Sequence, residues 1–479
     1  MKPNIVFIVT DNQSPWTLGC YGNGEILTPN IDRLARGGVR FTNAFCSNPV
    51  CSPNRATCLT GLMPSQHGVH NWLGTEVPDA QMGPDAYCTI EEFDTLPQML
   101  ADDGYECGLS GKWHLGDSLH PQLGFKYWFA KPKGHTRSFH DAEAIWDGKV
   151  YREPRYYLDA ITDHAVGFLH ETPKEKPFFL CVGYNGPYGL DQDMRDGHRN
   201  RHTAYYADRH LECFPREKAH PWLIQNRDCI GNETAMRSYA AAVSGVDDSV
   251  GRILDALAEL SLVKDTLVIF TADHGLCAGH HGFWGMSDHG RPLMMFDTNL
   301  RVPLILRHPE RISAGAVCEL LTCNYDLYPS LLEYLDLPGR VGEGPSLPGR
   351  SYSPALVGSA LDWGEEITFH EYENARTVRT PQWKFTRRFP DGPDDLYNLQ
   401  DDPEERHNLT DILQYKGVAR DLSGRLDAFF DCHSVPKHDL WRGGNTKAGR
   451  SIPEPRRCGP GQPEAEGDTA DRAPTKLGT

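Results

Sequence analysis

Three apolar runs constrain the fold of this chain more than any other feature of its sequence. Residues 5–9 are continuously apolar and mostly β-branched, and residues 177–184 and 266–271 are strongly apolar as well. Runs of this kind are typical of strands that are buried on both faces of a mostly parallel sheet. Polar residues follow the runs, and open α/β sheets place their functional sites at the carboxyl ends of such strands. The sequence therefore predicts an α/β fold with its site along one edge of the sheet.

A second constraint comes from residues 51–61, which read CSPNRATCLTG. Pro53 suits the first turn of a helix and Gly61 suits the residue just past its end, so we expect Cys51 at the N-terminus of a helix. The free N–H groups and the helix dipole favour an anion or an oxygen nucleophile there, and Arg55 follows one turn later. The simpler alternative is a buried thiol that caps a helix, since free cysteines are among the most buried residue types.

The order Cys-x-Pro-x-Arg followed by Leu-Thr-Gly resembles the signature of the sulfatase family, within the alkaline phosphatase superfamily. The likeness extends over residues 48–68. It implies that a formylglycine-generating enzyme oxidises Cys51 to formylglycine, whose hydrate supplies the nucleophile. It also implies that Arg55, together with Lys112 and His114 of a Gly-Lys-Trp-His motif, contacts the sulfate and the formylglycine.

The same resemblance implies a metal site at the ends of two of the apolar runs. Asp11 and Asn12 follow the first run, and Asp273 and His274 follow the third in an Asp-His-Gly motif. Relatives usually have two adjacent carboxylates where this chain has Asp11 and Asn12, so one charge is missing. Because hard oxygen ligands dominate, we expect one divalent cation, Ca²⁺ first, with Mn²⁺ or Zn²⁺ as alternatives that the imidazole allows.

Two positions near the expected site depart from the family pattern. Tyr188 stands where many relatives have a histidine that faces the leaving group, and Met286 stands where they often have a lysine. His289 is the nearest titratable group that could replace that lysine, so we expect it to be the general acid, with Tyr188 shaping the pocket. A surface histidine in a glycine-flanked loop is the alternative. The charged stretch that continues to residue 221 predicts a solvated surface insertion or, alternatively, a lid.

The resemblance also implies an alkaline phosphatase-like fold, in which helices flank a large mixed, mostly parallel sheet and a smaller α+β subdomain follows. Residues 1–337 are expected to form the catalytic α/β domain. Strand-like runs within residues 350–440 predict a small antiparallel sheet. Glycine, proline and charge dominate after Trp441 and predict disorder over residues 441–479.

Composition restricts the partners and the compartment. The formal charge of −17 argues against binding to nucleic acid or to an anionic membrane surface. The 14 cysteines are scattered without a C-x-x-C pair, which favours reduced thiols. The start of the chain lacks the features of a signal peptide, and no apolar run is long enough to cross a bilayer. The chain as given is therefore expected to be cytoplasmic.

These observations together predict an enzyme that hydrolyses a sulfate ester of a saccharide or another small molecule. A phosphonate or phosphate diester hydrolase of the same superfamily is the nearer alternative, because it also uses formylglycine and an Asp-His metal pair. A non-catalytic binding protein derived from the fold is the other alternative, suggested by Asn12, Tyr188 and Met286. The intact signature around Cys51 argues against a binding protein.

Overall fold

The computed structural model describes residues 2–74, 79–173, 175–337 and 344–448 of the chain. The described strands, in chain order, are β1 (Asn4–Asp11), β2 (Val39–Phe41), β3 (Ala44–Phe45), β4 (Glu106–Gly111), β5 (Phe125–Ala130), β6 (Ala142–Trp146), β7 (Lys149–Glu153), β8 (Phe178–Pro187), β9 (Thr266–Ala272), β10 (Cys277–Ala278), β11 (Trp284–Gly285), β12 (Leu304–Arg307), β13 (Ala316–Cys318), β14 (Thr322–Cys323), β15 (Thr368–Tyr372), β16 (Ala375–Arg379), β17 (Trp383–Arg388) and β18 (Asp395–Asn398). The described α-helices are α1 (Pro29–Arg36), α2 (Cys51–Thr60), α3 (Pro64–His67), α4 (Leu96–Asp102), α5 (Tyr157–Glu171), α6 (Asp193–Asp196), α7 (Thr203–Tyr206), α8 (Glu233–Glu259), α9 (Asp297–Leu300), α10 (Asn324–Tyr334), α11 (Ser353–Leu356) and α12 (Lys416–His433).

A ten-stranded mixed sheet is the centre of the fold, with the strand order β13-β2-β12-β9-β1-β8-β4-β5-β6-β7. Its five middle strands, from β9 to β5, are parallel to one another. Antiparallel strands flank them on both sides, β12 next to β9 and β6 next to β5. The large, mostly parallel sheet predicted from the sequence is therefore confirmed.

Apolar side chains from the middle strands are buried on both faces of this sheet. Val6 and Ile8 of β1 pack with residues of α1, α5 and α8 on one face. Phe7 and Val9 pack with residues of α2, α4 and α10 on the other face. Each such side chain contributes about 1.5–3 kcal/mol by leaving water. Helices on both faces explain why the runs are continuously apolar and do not alternate with polar residues.

A four-stranded antiparallel sheet forms the smaller C-terminal part, in the order β15-β16-β17-β18. Leu422, Leu426 and Phe430 of α12 pack on its apolar face. Met63 and Tyr325 of the large part belong to the same apolar cluster, so the two parts share a core. The domain boundary at residue 337 stays a prediction, since residues 338–343 lie outside the described residues.

The predicted disordered tail divides into two segments. Its first residues, 441–448, are described, and the backbone N–H of Lys447 donates to the carbonyl of Gly68 at 2.7 Å. Lys447 thereby ties this segment to the large part of the molecule. Residues 449–479, where the rest of the prediction falls, lie outside the described residues.

The charged stretch before residue 221 is not simply a solvated insertion, so that expectation is wrong for part of it. Met194, Tyr206, Leu211 and Phe214 are buried and pack against apolar residues of α8. These four residues follow no helical or strand period, and for this reason the sequence pattern did not indicate their burial.

Two further expectations concern membranes and thiols. Of the helices that the structure describes, none is long and apolar enough to cross a membrane. The cysteines within the described ranges are free thiols, most of them buried, which agrees with the expectation of reduced cysteines.

Candidate active site and metal centre

Four neighbouring parallel strands of the sheet, β9, β1, β8 and β4, carry the candidate site at their carboxyl ends. Asp11 ends β1, Asp273 follows β9, and Lys112 follows β4. Tyr188 follows β8, and its backbone N–H donates to the carbonyl of Asp11 at 3.1 Å. The pairing of these strands therefore sets the distances between the backbone positions of the four residues, as expected at the edge of an open α/β sheet.

Cys51 enters this edge as the first residue of α2. The helix ends at Gly61, which adopts the left-handed conformation at φ 71° that favours glycine. Cys51 Sγ lies 3.4 Å from Asp11 Oδ1 and 3.4 Å from His274 Nε2. Burial, and next Asp11, raise the pKa of the Cys51 thiol well above its ordinary value. The thiol is therefore protonated, yet it lies among polar groups, which distinguishes it from a cysteine that only fills an apolar core.

Two buried cations neutralise the carboxylates next to Cys51. Lys112 Nζ lies 2.6 Å from Asp11 Oδ2, and Arg55 Nε donates to Asp273 Oδ2 at 3.0 Å. Burial alone would raise the pKa of Asp273, but Arg55, followed by His274 and Lys112, lowers it below the ordinary value. Burial alone would lower the pKa of Lys112, but Asp11 and Cys51 raise it. Both cations and Asp273 are therefore charged.

Three of the predicted metal ligands lie together with Cys51. Asp11, Cys51, Asp273 and His274 each offer one ligand atom, and these atoms all lie within 4.8 Å of one another. His274 Nδ1 lies 2.8 Å from the carbonyl oxygen of Gly275, a contact that requires the proton on Nδ1. The lone pair of Nε2 is consequently free to bind a cation, as is usual for histidine ligands whose second nitrogen donates a hydrogen bond.

Asn12 lies next to this cluster, and its backbone N–H donates to Asp273 Oδ1 at 3.3 Å. Its Nδ2 donates to the carbonyl of Tyr188 at 2.7 Å, while its buried Oδ1 has no hydrogen-bond partner among the described residues. The hydroxyl of Tyr239 donates to the Asn12 carbonyl at 2.6 Å and holds this residue at φ 61°. A buried amide oxygen without a partner is suited to a hard cation, so the residues present fit a divalent ion.

His114 lies against the same pocket as a neutral ring. Its Nε2 donates to the carbonyl of Leu73 at 3.0 Å, and its Nδ1 has no hydrogen-bond partner in the described part of the chain. Burial, and next Lys112, hold the pKa of His114 well below its ordinary value. A side chain at Gly134 would lie 2.1 Å from the His114 ring, so only glycine allows that loop to approach.

The loop around Gly134 brings two polar residues that the sequence patterns did not indicate. The hydroxyl of Tyr188 lies 2.7 Å from Nδ1 of His135, and Lys131 Nζ donates to the His135 carbonyl at 2.8 Å. The loop follows β5, which is parallel to β4 and ends at the same edge. Recognition of the aromatic run in residues 125–130 as a further parallel strand would have predicted polar residues there.

His289 is buried, so the alternative of a surface histidine is wrong. Its Nδ1 lies 3.0 Å from Asp288 Oδ1, and its ring packs so closely on Gly285 that no side chain would fit there. Among the described residues, no hydrogen bond joins His289 to Cys51 or Lys112. Its role as the acid stays a prediction.

Comparisons with known proteins agree with this geometry. The family model described as Sulfatase matches residues 3–337, and the model described as N-sulphoglucosamine sulphohydrolase, C-terminal matches residues 279–431. The N-acetylglucosamine-6-O-sulfatase of Bacteroides thetaiotaomicron is 26% identical over 505 residues, which cover 89% of this chain and 86% of that protein. Human steryl-sulfatase is 29% identical over 499 residues, which cover 85% of this chain and 84% of that protein.

A solved structure shows the same fold. A protein in complex with its substrate D-glucosamine-2-N,6-O-disulfate matches with a TM-score of 0.71 and 24% identity. The match covers 90% of this chain and 98% of that chain. The predicted alkaline phosphatase-like architecture is thereby confirmed.

The metal assignment predicts the behaviour of Asp273 variants. Asp273→Ala is expected to lose Ca²⁺ binding, because one of the two carboxylates of the cluster is removed; calorimetric titration of the chelator-treated protein measures this. Removing one partner of a buried ion pair costs roughly 3–5 kcal/mol, so Asp273→Asn, which keeps the volume, is the second variant. Asp196→Asn changes an exposed acid and is expected to bind Ca²⁺ normally. Wild-type Ca²⁺ affinity in both Asp273 variants would show that the ligands lie elsewhere.

Proposed function

The chain belongs to the sulfatase family and is a sulfuric ester hydrolase, and on this premise we propose that it cleaves the sulfate ester of a saccharide with formylglycine at position 51. The observation that carries the proposal is the position of Cys51. It begins α2, its Sγ lies 3.4 Å from Asp11 and His274, and Arg55 lies on the next turn. Because the unmodified thiol is protonated and buried, oxidation to an aldehyde hydrate supplies a better nucleophile at this position.

One divalent cation completes the proposed site, held by Asp11, Asn12, Asp273 and His274. When bound, the ion lowers the pKa of the attacking hydroxyl and draws negative charge toward the sulfate oxygens. Oxygen ligands outnumber the imidazole nitrogen, and this supports Ca²⁺. Mn²⁺ and Zn²⁺ remain candidates because of His274.

The roles of the remaining residues follow from their charges. Lys112 and Arg55 are charged and buried beside Cys51, so they hold and orient the sulfate oxygens as negative charge develops on them. The neutral His114 has an unpaired Nδ1, which takes a proton from the position 51 hydroxyl when sulfate is expelled and the aldehyde re-forms.

A saccharide substrate is supported by the relatives. One similar protein is named an N-acetylglucosamine-6-O-sulfatase, and the substrate-bound structure of similar fold holds a disulfated glucosamine. The chain covers most of the length of both proteins, so the comparison concerns whole enzymes.

The proposed activity predicts release of inorganic sulfate from N-acetylglucosamine 6-sulfate by protein that is co-produced with a formylglycine-generating enzyme. Cys51→Ala is expected to abolish this release, whereas Cys432→Ala, at an exposed position, is expected to retain it. A matched phosphonate monoester is the competing substrate. Faster turnover of the phosphonate than of any sulfate ester would favour the diesterase and phosphonate hydrolase alternative.

The covalent state of position 51 is a separate prediction. Peptide mass spectrometry of the active preparation is expected to find an aldehyde at position 51, because Cys51 and Arg55 retain the complete signature. Protein made without the maturing enzyme is expected to carry the thiol and to be inactive. An active preparation that contains only the thiol would contradict the formylglycine mechanism.

Two residues, His289 and His135, are candidates for the acid that protonates the leaving group. Tyr188 itself is a poor proton donor, because burial, followed by Asp11, raises the pKa of its hydroxyl well above the ordinary value. Its hydroxyl contacts His135, whose ring is partly exposed and belongs to the loop packed on His114. Burial, followed by Lys112, Lys131 and Arg137, lowers the pKa of His135. The negative charge of a bound sulfate ester raises the pKa of His135 and so opposes this lowering. The geometry therefore favours His135 as the acid, with Tyr188 positioning its ring.

A leaving-group comparison distinguishes the candidates. Loss of a general acid slows an alkyl or sugar sulfate by about 10²–10⁴-fold but affects p-nitrophenyl sulfate little, because a nitrophenolate departs without a proton. We expect this selective loss for His135→Ala, while Tyr188→Phe affects both substrates modestly. Selective loss in His289→Ala instead would make His289 the acid, and equal losses on both substrates in both histidine variants would reject both residues.

A further inference from the structure

A second group of ligand-type side chains lies in the segment that follows Tyr188. We propose that Asp191, Asp193 and His198 bind a second divalent transition-metal ion, separate from the cluster at Cys51. Each of the three offers one ligand atom, and these atoms all lie within 4.8 Å of one another. Donor atoms on opposite sides of one ion are separated by about twice a metal–ligand bond of ~2.0–2.2 Å, so this spacing fits a single ion.

The strongest observation is that the group contains buried ligand atoms without partners. Asp191 is only 2% exposed, and neither of its carboxylate oxygens has a hydrogen-bond partner among the described residues. His198 is 1% exposed, and its Nδ1 is also without a partner in that part of the chain. Native proteins rarely leave buried polar atoms unsatisfied, and an ion is one of the accepted explanations.

The other atoms of the group are arranged as a metal site requires. Nε2 of His198 lies 3.0 Å from the hydroxyl of Tyr156, a contact in which Nε2 can carry the ring proton and leave the lone pair of Nδ1 to an ion. Asp193 Oδ2 accepts the backbone N–H of Phe139 at 3.1 Å and the hydroxyl of Ser138 at 3.3 Å. The second oxygen of Asp193 makes no hydrogen bond with any described residue and is available to an ion.

The charges around the group are also unbalanced. Burial, and next the neighbouring Asp193, raise the pKa of Asp191 to about 8. Arg195 opposes this only in part, because its guanidinium pairs with Asp228 at 2.7 Å. The backbone N–H groups of Asp191 and Asp193 also favour the ionised form of the Asp191 side chain. Neither N–H makes a hydrogen bond of ordinary geometry to that carboxylate. A dication would supply the positive charge that the surrounding side chains do not.

The ligand chemistry selects the class of ion. Two carboxylates and one imidazole supply fewer oxygen ligands than the cluster at Cys51. A small set that includes a nitrogen suits Zn²⁺ or Mn²⁺ better than Ca²⁺, which prefers many oxygen ligands. The position suggests a structural role. The backbone N–H of His198 donates to Ser238 of α8 at 3.0 Å, and Asp191 lies three residues after Tyr188, so an ion here fastens the pocket wall to that helix.

Zn²⁺ titration of an Asp273→Asn background tests the proposal without interference from the cluster at Cys51. Chelator-treated Asp273→Asn protein is expected to bind one Zn²⁺ per chain by calorimetry and to melt at a higher temperature when Zn²⁺ is added. Adding Asp191→Asn, which keeps the side-chain size, is expected to remove both effects. Adding Asp196→Asn instead, an exposed acid of the short helix α6 that also contains Asp193, is expected to preserve both.

A crystal of the wild-type protein soaked in Zn²⁺ provides a measurement that does not depend on variants. An anomalous peak within about 2.2 Å of Asp191, Asp193 and His198 is the expected result. The proposal fails if this position shows only a water molecule beside Asp191. It also fails if Asp191→Asn leaves the Zn²⁺ stoichiometry and the melting shift unchanged, because Asp191 is then simply a protonated acid.

Discussion

The candidate site depends on two buried carboxylates, Asp11 and Asp273, that adjacent parallel strands bring to the same edge of the sheet. Burial of an unpaired carboxylate costs several kcal/mol, so neither could remain charged there alone. Lys112 from the end of β4 and Arg55 from α2 supply the balancing charges. The charge requirement therefore joins four elements that are distant in sequence and fixes Cys51, four residues before Arg55, at the point where they meet.

The sequence predicted the part of this arrangement that depends on local patterns. Residues 5–9 and 266–271 indicated strands because residues 5–9 and 267–270 are apolar without interruption. The polar residues after both runs had to lie at one edge of a parallel sheet. Pro53 and Gly61 indicated the limits of α2, and the structure has a helix from Cys51 to Thr60. Each of these predictions needed only the residues of a single element and a general rule of sheet geometry.

Contacts between distant segments could not be predicted in this way. His135 and Tyr188 are 53 residues apart, and nothing in either segment indicates the bond between them. Burial of the charged segment before residue 221 depends on apolar residues of α8 that come later in the chain. The family resemblance implies a histidine at the position of Tyr188, and the proposed acid His135 lies in the loop that follows β5. Residue-by-residue comparison therefore identifies only the departure. The contact between Tyr188 and His135 is evident only from the folded arrangement of the two segments.

The charge balance of the pocket also supports the proposed dication. The protein carries a formal charge of −17, so its overall field repels a sulfate ester. Within the site, Lys112 and Arg55 are each matched by a carboxylate, and the four side chains have no net charge together. Lys131 adds positive charge, although burial, followed by Lys112, lowers its pKa to about 8. A dication at the proposed site of Asp11, Asn12, Asp273 and His274 would turn this nearly neutral pocket positive. Lys112 and Arg55 could then direct their N–H groups toward the sulfate oxygens. In the absence of metal, Asp11 and Asp273 pair with Lys112 and Arg55. With a dication bound to these carboxylates, the two basic side chains would be available to the substrate.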